Sequence, residues 1–334
     1  MNALLLKLLV QRIGLACLSL LAVSVLVFAI TGVLPGDAAQ EQLGQEATPE
    51  SLAALRAQMG LDVPAHQRYL GWLGGLVRGD LGVSSATQLP VAELIASRLP
   101  NSLLLAAITA LFSVPIALTL GISAAVWRGS WFDRAASTGA VAVVSVPEFL
   151  VATLAVLIFA VQLKWLPSFG RGEVVSLGNL STGLLTIDGL RHLVLPAFTL
   201  SLFPMTLVLR LVRSEMLEVL RSDYIKFARA RGLKRRAIHF GHALKNTMVP
   251  VITITGLQLG GIIAFAIVTE TVFQWPGMGL LFIQAVQFAD VPVMAAYLCL
   301  IALVFVVINL VVDLLYFVVD PRLRSGMTRA GGAH

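Results

Sequence analysis

The segment Arg221–Pro250, with the sequence RSDYIKFARARGLKRRAIHFGHALKNTMVP, is the one long charged stretch between apolar runs of the chain. Positions 210–245 hold ten Lys and Arg residues and three acidic residues, a local excess larger than the net charge of +6 carried by all 334 residues. Basic loops between apolar spans mark the cytoplasmic side of membrane proteins. The sequence therefore predicts a cytoplasmic loop held between membrane-spanning helices.

Within this loop the pattern predicts two short helices that meet at Gly232. Ser222 is a suitable N-cap for a helix that begins at Asp223, and Gly232 can adopt the left-handed conformation that ends a helix. A second helix is predicted over 234–246, before Pro250 opens the next span. One face of the first helix carries residues at helical spacing, namely Tyr224, Phe227, Ala228 and Arg231. The two helices together form a predicted elbow.

The composition is typical of an integral membrane protein, because 57% of the residues are hydrophobic and only 13% are charged, against roughly a quarter charged in soluble domains. A span needs about 20 apolar residues, and we predict six transmembrane helices in a single transmembrane domain, 1–334. Their approximate bounds are 11–34, 99–127, 135–163, 192–213, 247–270 and 290–319.

The loop charges predict how these spans are oriented. Lys7 and Arg12 precede the first span and indicate a cytoplasmic N-terminus. The polar region 35–98 is predicted to be an external helical insertion between spans one and two, with helices beginning near Pro49 and Pro64. The loop 214–246 is cytoplasmic, and six spans return both termini to the cytoplasm.

Several polar and small residues in or beside the spans are candidate pore or polar-contact positions. Glu148 follows Pro147 in span three, and a carboxylate at that depth is expected to face the bundle interior or a water-filled cavity; a position at the cytoplasmic boundary is the open alternative. Gly256 and Gly260 are four residues apart, a spacing that lets another helix approach closely. Asp313 is predicted to face water or a polar partner at the inner boundary.

Other candidates lie where spans five and six are expected to reach the external face. Glu270 and Asp290 are candidate external-face residues, and the alternative is that they simply cap or solvate the helix ends. Pro276 and Gly277 predict a type II turn, in which Gly277 supplies a positive φ. Asp37 belongs to the external region that follows span one.

Several function classes find no support in the sequence. There is no G-x-x-x-x-G-K-[ST] phosphate loop, no G-x-S-x-G and no H-E-x-x-H, so neither ATP hydrolysis nor an intramembrane enzyme is indicated. The basic charge follows membrane topology, which argues against nucleic-acid binding. His239 and His242 share a helical face without an acid or Cys beside them, so no metal site is predicted.

A resemblance adds to this interpretation. The loop resembles the EAA loop of ATP-binding-cassette importer permeases in the dipeptide and oligopeptide branch. Lys226 and Phe227 stand where importers in general have Glu and Ala, a departure that is itself usual in the peptide branch. The residues that carry the resemblance in the loop are Tyr224, Ala228, Arg229, Ala230, Gly232, Leu233, Ile238, His242, Ala243, Leu244, Asn246 and Pro250. Outside the loop, Leu34–Asp37, Gly79–Gly82, Glu270–Phe273 and Pro276–Gly279 are similar to family positions.

The resemblance implies a type I, MetI-like permease fold in the bacterial inner membrane. It also implies four kinds of contact: a second homologous permease subunit, two ATPase subunits, a periplasmic or lipid-anchored solute-binding protein, and membrane lipid. ATP and magnesium would lie on the ATPase subunits, and this chain would hold no cofactor. The implied ATPase-docking residues are Tyr224, Phe227, Ala228, Arg229, Ala230, Arg231, Gly232 and His242.

Alternatives remain at this point. The solute could be a nickel chelate, glutathione or an opine instead of a dipeptide or oligopeptide. An ion-coupled secondary transporter would typically show internal repeats and ionisable groups at the midplane, and only Glu148 fits that description. The basic loop could also adsorb to anionic lipid without docking on a protein.

Overall fold

The computed structural model describes residues 2–32, 48–58, 62–178 and 180–319, and helices dominate this part of the chain. The helices are α1 (Asn2–Gly32), α2 (Pro49–Gln58), α3 (Ala65–Val77), α4 (Val91–Val126), α5 (Trp131–Ser145), α6 (Glu148–Ala155), α7 (Ile187–Arg221), α8 (Asp223–Ala230), α9 (Leu244–Val272), α10 (Met278–Gln287) and α11 (Val291–Val319). Two π-helical segments, Val156–Gln162 and Ala237–Ala243, extend α6 and lead into α9.

The prediction of an all-α chain needs one correction. Strands β1 (Val175–Leu177) and β2 (Leu180–Thr182) form a small antiparallel hairpin, in which Val175 pairs with Thr182. The hairpin lies in the segment between α6 and α7, where no motif was recognised. The Arg171 guanidinium donates to the Ser181 hydroxyl over 3.0 Å and also to the Ser181 carbonyl, which fixes the hairpin to the preceding loop.

The described part of the chain divides into two compact units, and the first contains the described residues of 1–101 and 276–306. In this unit α1 contacts α3 through aromatic side chains: the ring centroids of Phe28 and Tyr69 are 5.4 Å apart, and the hydroxyls of Tyr69 and Ser24 are 2.8 Å apart. The predicted helix starts are confirmed for α2, whose Thr48 hydroxyl accepts from the Ser51 amide, and for α3, which begins directly after Pro64.

The second unit contains the described residues of 102–275 and 307–319 and is organised around α7. Helix α7 is largely buried and packs against α5, α6 and α9. Gly121 of α4 brings that helix close to α7, since a side chain at this position would lie 2.8 Å from the Leu209 carbonyl oxygen. Residues on α4, α7 and α9 that share one apolar cluster include Leu105, Leu193, Leu200 and Ile262.

Among the described residues, four helices are long and apolar enough to cross a membrane, and the number rises to six if each of two bent helix pairs forms one span. The pair that overlaps predicted span three, Trp131–Ser145 with Glu148–Gln162, is bent by 102°. The bend falls at Pro147, whose ring cannot continue α5. Predicted span three is therefore not a straight helix, and the count of six spans stays a prediction.

Two candidate residues lie outside what the structure describes. Asp37 belongs to the stretch 33–47, and the side chain of Asp313 in α11 has no described placement.

Candidate functional site: a basic elbow and a half-buried carboxylate

The first candidate site is the basic elbow, defined here as residues 221–246. Its first helix, α8, begins at Asp223 as predicted, although the Ser222 hydroxyl donates to the Val219 carbonyl and does not cap the helix. Gly232 has a φ of +76°, which confirms the predicted left-handed end. The second half differs from the prediction, because π-helical Ala237–Ala243 runs into α9 and Pro250 lies inside that helix.

The inner face of the elbow is apolar and fully packed. Ile225 and Ile238 are buried together with Ala228 against Val212 and Met216 of α7. The four residues predicted to share one face of α8 therefore do not form a single surface. Ala228 is only 7% exposed, whereas Phe227 is 65% exposed. The predicted face consisted of Tyr224, Phe227, Ala228 and Arg231. The sequence signal that was missed is Ile225, which is three residues before Ala228 and shares its helical face.

Tyr224 connects the two halves of the elbow. Its hydroxyl donates to the carbonyl of His242 over 2.8 Å and accepts from the side-chain amide of Asn246 over 2.7 Å. These two bonds join α8 to the π-helical segment and the start of α9 across the turn at Gly232. Tyr224 thus stabilises the elbow through these bonds, although its side chain is partly exposed.

The outer face combines exposed aromatic residues with basic side chains. Phe227 and Phe240 are 65% and 55% exposed, and the Arg231 guanidinium lies over the Phe227 ring at 5.9 Å from its centroid. Ala230, Gly232 and His242 are exposed as well. The exposed Lys and Arg residues of this elbow are Arg221, Lys226, Arg229, Arg231, Lys234, Arg235, Arg236 and Lys245. Exposed aromatic and Arg side chains are enriched in protein interfaces.

The second candidate site surrounds Glu148, the first residue of α6. The side chain is half-buried, and its Oε1 accepts a hydrogen bond from the Thr269 hydroxyl of α9. Glu148 also lines a cavity of about 160 Å³ between the end of α5, α6, α7 and α9. This placement is consistent with the prediction that Glu148 faces a polar group or a cavity and does not face lipid.

Comparison with known proteins places both sites in one family. The model of the family described as "Binding-protein-dependent transport system inner membrane component" matches residues 117–325, and the corresponding N-terminal family model matches residues 5–106. The chain belongs to this family. The first match contains the basic elbow and Glu148, so both candidate sites lie within the family domain.

Curated relatives are similar to this permease along nearly its whole length. The dipeptide transport system permease protein DppB of Escherichia coli K12 is 38% identical over 335 residues, which cover 96% of this chain and 99% of the relative. The DppB protein of Alkalihalophilus pseudofirmus is 38% identical, with 91% and 95% covered. The glutathione transport system permease protein GsiC of Salmonella choleraesuis is 39% identical, with 92% and 95% covered.

A solved structure shows the same fold. A chain of the methionine ABC transporter MetNI in an inward-facing conformation superimposes with a TM-score of 0.55 at 17% identity, and the match covers 68% of this permease and 96% of that chain. The helical, MetI-like fold expected from the resemblance is thereby confirmed. The β-hairpin is a feature of this chain that the sequence-based prediction did not include.

The glycine candidates of the permease divide between packing and the cavity. Gly256 is buried, and a side chain there would clash with Val312 of α11. The small size of Gly256 therefore allows close packing against the Val312 side chain, and the residue does not face a pore. Gly260 is buried, while its neighbour Gly261 lines the cavity beside Glu148. Gln258 of the same helix also lines the cavity and was not singled out from the sequence.

The acids predicted near the external face are buried within the permease. Glu270 is completely buried and accepts from the Ser102 hydroxyl over 2.5 Å. Asp290 is 2% exposed and accepts from the Ser84 hydroxyl and from the Ser85 amide. The interpretation that these two carboxylates are solvated is therefore wrong, because each accepts from donors of its own unit. Capping is confirmed for Asp290, whose Oδ1 accepts from the Val293 amide in the first turn of α11 over 3.4 Å.

The turn after α9 also differs from the prediction. Gly277 has a φ of −107°, so it does not supply the positive φ of a type II turn. Gln274 has positive φ instead. The Pro276 carbonyl accepts from the Asn101 side chain over 2.6 Å, which fixes the start of this turn to α4.

An ion pair that the sequence did not reveal lies at the start of α5. Asp133 is 4% exposed and accepts from Arg213 of α7 through two bonds, from Nε over 2.6 Å and from Nη2 over 3.0 Å. It also accepts from the Gly129 amide. The pair joins α5 to the part of α7 that leads into the basic elbow, so it positions the elbow on its frame.

Proposed function

We propose that this permease is one of two paired membrane subunits of an ATP-driven importer for dipeptides or oligopeptides, and that the outer face of the basic elbow docks on an ATPase subunit. A second homologous permease subunit would complete the translocation pore. An external solute-binding protein would deliver the peptide, and two ATPase subunits would hold ATP and magnesium. Six spans, cytoplasmic termini and a bacterial inner-membrane location belong to the same proposal.

The observation that carries the docking proposal is the contrast between the two faces of the elbow. The inner face is anchored through Ile225 and Ile238, so a force on the outer face reaches α7 and α9 without unfolding α8. The outer face presents Phe227 and Phe240 within a basic surface. Lipid adsorption would use the basic charge equally well, but burial of both aromatic residues in a protein groove accounts for the charge and the exposed rings together.

Support for a peptide solute comes from the relatives. Two of them are named for dipeptide transport and each covers more than nine tenths of this chain. The relative named for glutathione transport is equally similar, and glutathione is itself a small peptide. All three names therefore refer to transport of a small peptide, and dialanine is a suitable test solute.

Cross-linking in the assembled transporter tests the docking proposal. In a chain without Cys17 and Cys299, a cysteine at Phe227 or Phe240 carrying a photoreactive maleimide is expected to capture an ATPase subunit. A cysteine at Leu257, which is 48% exposed in α9, is the matched control and is expected to capture none. If the reagent at Phe227 captures only lipid, the elbow adsorbs to the membrane and docking is refuted.

Import tests the functional part of the proposal. Phe227→Ala is expected to lower ATP-dependent dialanine uptake into proteoliposomes by about tenfold or more, because truncation of an interface anchor costs about 2 kcal/mol. Thermal stability of the permease should not change, since the side chain contacts solvent in the isolated chain. No dialanine uptake by the unsubstituted transporter with its binding protein would refute the assignment of a peptide solute.

A further inference from the structure

The cavity at Glu148 has the size of a small organic group. Its volume is about 160 Å³, and an apolar cavity of about 150 Å³ in another protein accommodates benzene. It can therefore hold one end of a small solute but not a whole folded peptide. Its walls come from α5, α6, α7 and α9, all within the unit that contains residues 102–275.

The lining of this cavity is apolar except for three polar side chains, one on each of α6, α7 and α9. Val151, Phe203 and Ile262 are among its apolar residues. The Thr199 hydroxyl also reaches the cavity but donates to carbonyls of its own helix. Glu148 and Gln258 remain as a carboxylate and an amide that a solute can contact, and Glu148 is the one charged residue in the described lining.

The carboxylate of Glu148 has capacity for another partner. The Thr269 hydroxyl donates to Oε1, whereas an ionised carboxylate can accept about four hydrogen bonds. Its position in the first turn of α6 places it at the positive end of the helix dipole, which offsets part of the cost of burying a negative charge there. A carboxylate is not retained in an apolar environment without a compensating partner, and one hydroxyl compensates only part of its charge.

We propose that this cavity binds the ammonium group of an amine-bearing solute, with the ammonium on Glu148 and the adjoining amide group on Gln258. The inference rests on the proposed function, for which it names the recognised chemistry: a peptide with a free amino terminus meets both groups at once. The apolar walls around Phe203 and Ile262 contact the first side chain of such a peptide without selecting among residue types.

A purely structural role for Glu148 is the competing explanation. In that case the bond to Thr269 only fastens the bend between α5 and α6 to α9, and the cavity discriminates no charge. The two explanations differ in the local concentration of small cations, because a carboxylate in a low-dielectric cleft attracts them and a structural bond does not.

Thiol labelling of the purified permease pair separates these explanations. Val151 lines the cavity one helical turn after Glu148, so Val151→Cys is made in a chain with Cys17→Ser and Cys299→Ser. Labelling rates are compared for 2-aminoethyl methanethiosulfonate, which carries an ammonium, and 2-sulfonatoethyl methanethiosulfonate, which carries a sulfonate. We expect the ammonium reagent to react at least about tenfold faster, as a focused field of one charge predicts.

Two additional measurements assign the preference to Glu148. Glu148→Gln is expected to bring the two rates together, while Glu173→Gln, which removes an exposed acid from the loop before the hairpin, leaves the preference unchanged. Glycinamide is expected to slow labelling of Cys at position 151, whereas N-acetylglycinamide, which lacks the ammonium, does not. The competition uses the native Glu148 and so does not depend on folding of the Glu148→Gln variant.

Equal rates for the two reagents with Glu148 present would overturn the proposal, as would protection by N-acetylglycinamide equal to that by glycinamide. Absence of labelling by either reagent in a folded permease would also overturn it, because the cavity would then admit no solute. The labelling needs neither ATP nor the binding protein. Failure of dialanine import with an intact cation preference would therefore reject the proposed function alone.

Discussion

The basic elbow and the acids of the apolar segments handle charge in opposite ways. In the elbow, the basic side chains project to solvent, and the pair between Lys226 and Asp223 joins two exposed residues of one helix. In the apolar segments each of four acids is held by a hydroxyl or guanidinium distant in sequence, namely Asp133 by Arg213, Glu148 by Thr269, Glu270 by Ser102 and Asp290 by Ser84. The charged residues of the elbow thus form an exposed surface, whereas the acids of the apolar segments connect helices through hydrogen bonds and an ion pair.

The largest expected effect comes from breaking the ion pair of Asp133. Asp133→Asn removes a buried charged acceptor and leaves the partly exposed Arg213 guanidinium without its charged partner, and we expect a loss of about 3 kcal/mol in the free energy of unfolding. Urea or thermal unfolding of the permease in detergent measures it. Because Arg213 leads towards the elbow, transport should fall even at temperatures where the variant is folded.

The matched control is in the elbow itself. Asp223→Asn removes an acid of the same type from an exposed pair, and the change should stay within about 0.5 kcal/mol. If the two variants lost equal stability, the proposed contrast between a surface of charges and a set of fixed helices would be incorrect.

A smaller effect is expected at Asp290. Asp290→Ala removes the acceptor of the Ser84 hydroxyl and of the Ser85 and Ala86 amides, the latter at 3.2 and 3.4 Å. Loss of a charged acceptor that satisfies partly buried donors costs about 2 kcal/mol. Hydrogen exchange of residues 84–89 should accelerate, whereas Asp80→Ala, at an exposed acid that bonds the Gly82 amide, should leave these residues protected. Unchanged exchange at Ser85 and Ala86 would show that the loop is held by other contacts.

How much of this could be predicted depends on the distance in sequence between the interacting residues. The start of α8 and the left-handed Gly232 follow from neighbouring residues, and both predictions are confirmed. The partners of Asp133 and Asp290 are separated from them by 80 and 206 residues, and a single sequence contains no signal that pairs them. For this reason Asp290 was identified as a candidate without its burial, and Asp133 was not singled out.

The candidate site shows the same limit on a shorter scale. The elbow was located correctly from its charge, but its inner face was predicted on the wrong side of α8. The prediction placed the large side chains Tyr224 and Phe227 on that face and overlooked the smaller Ile225. Packing decided otherwise, since α7 offers Val212 and Met216 to the side of the helix where Ile225 and Ala228 lie. Tyr224 is then left to bond the second half of the elbow, which no helical pattern predicts.

The smallest effect is expected from Tyr224→Phe, which tests whether the halves of the elbow act as one body. The change removes a hydroxyl that bonds the His242 carbonyl and the Asn246 amide, and because these groups are exposed to water we expect a cost of only about 1 kcal/mol. The loss should be local, seen as faster hydrogen exchange over 242–246 with little change in global unfolding.

A double-mutant cycle with Asn246→Ala should give less than the sum of the two single effects, because the variants remove the same bond. ATP hydrolysis by the docked ATPase would then continue while dialanine import per ATP falls. Strict additivity in the cycle, or unaltered import per ATP, would show that α8 and the start of α9 move independently.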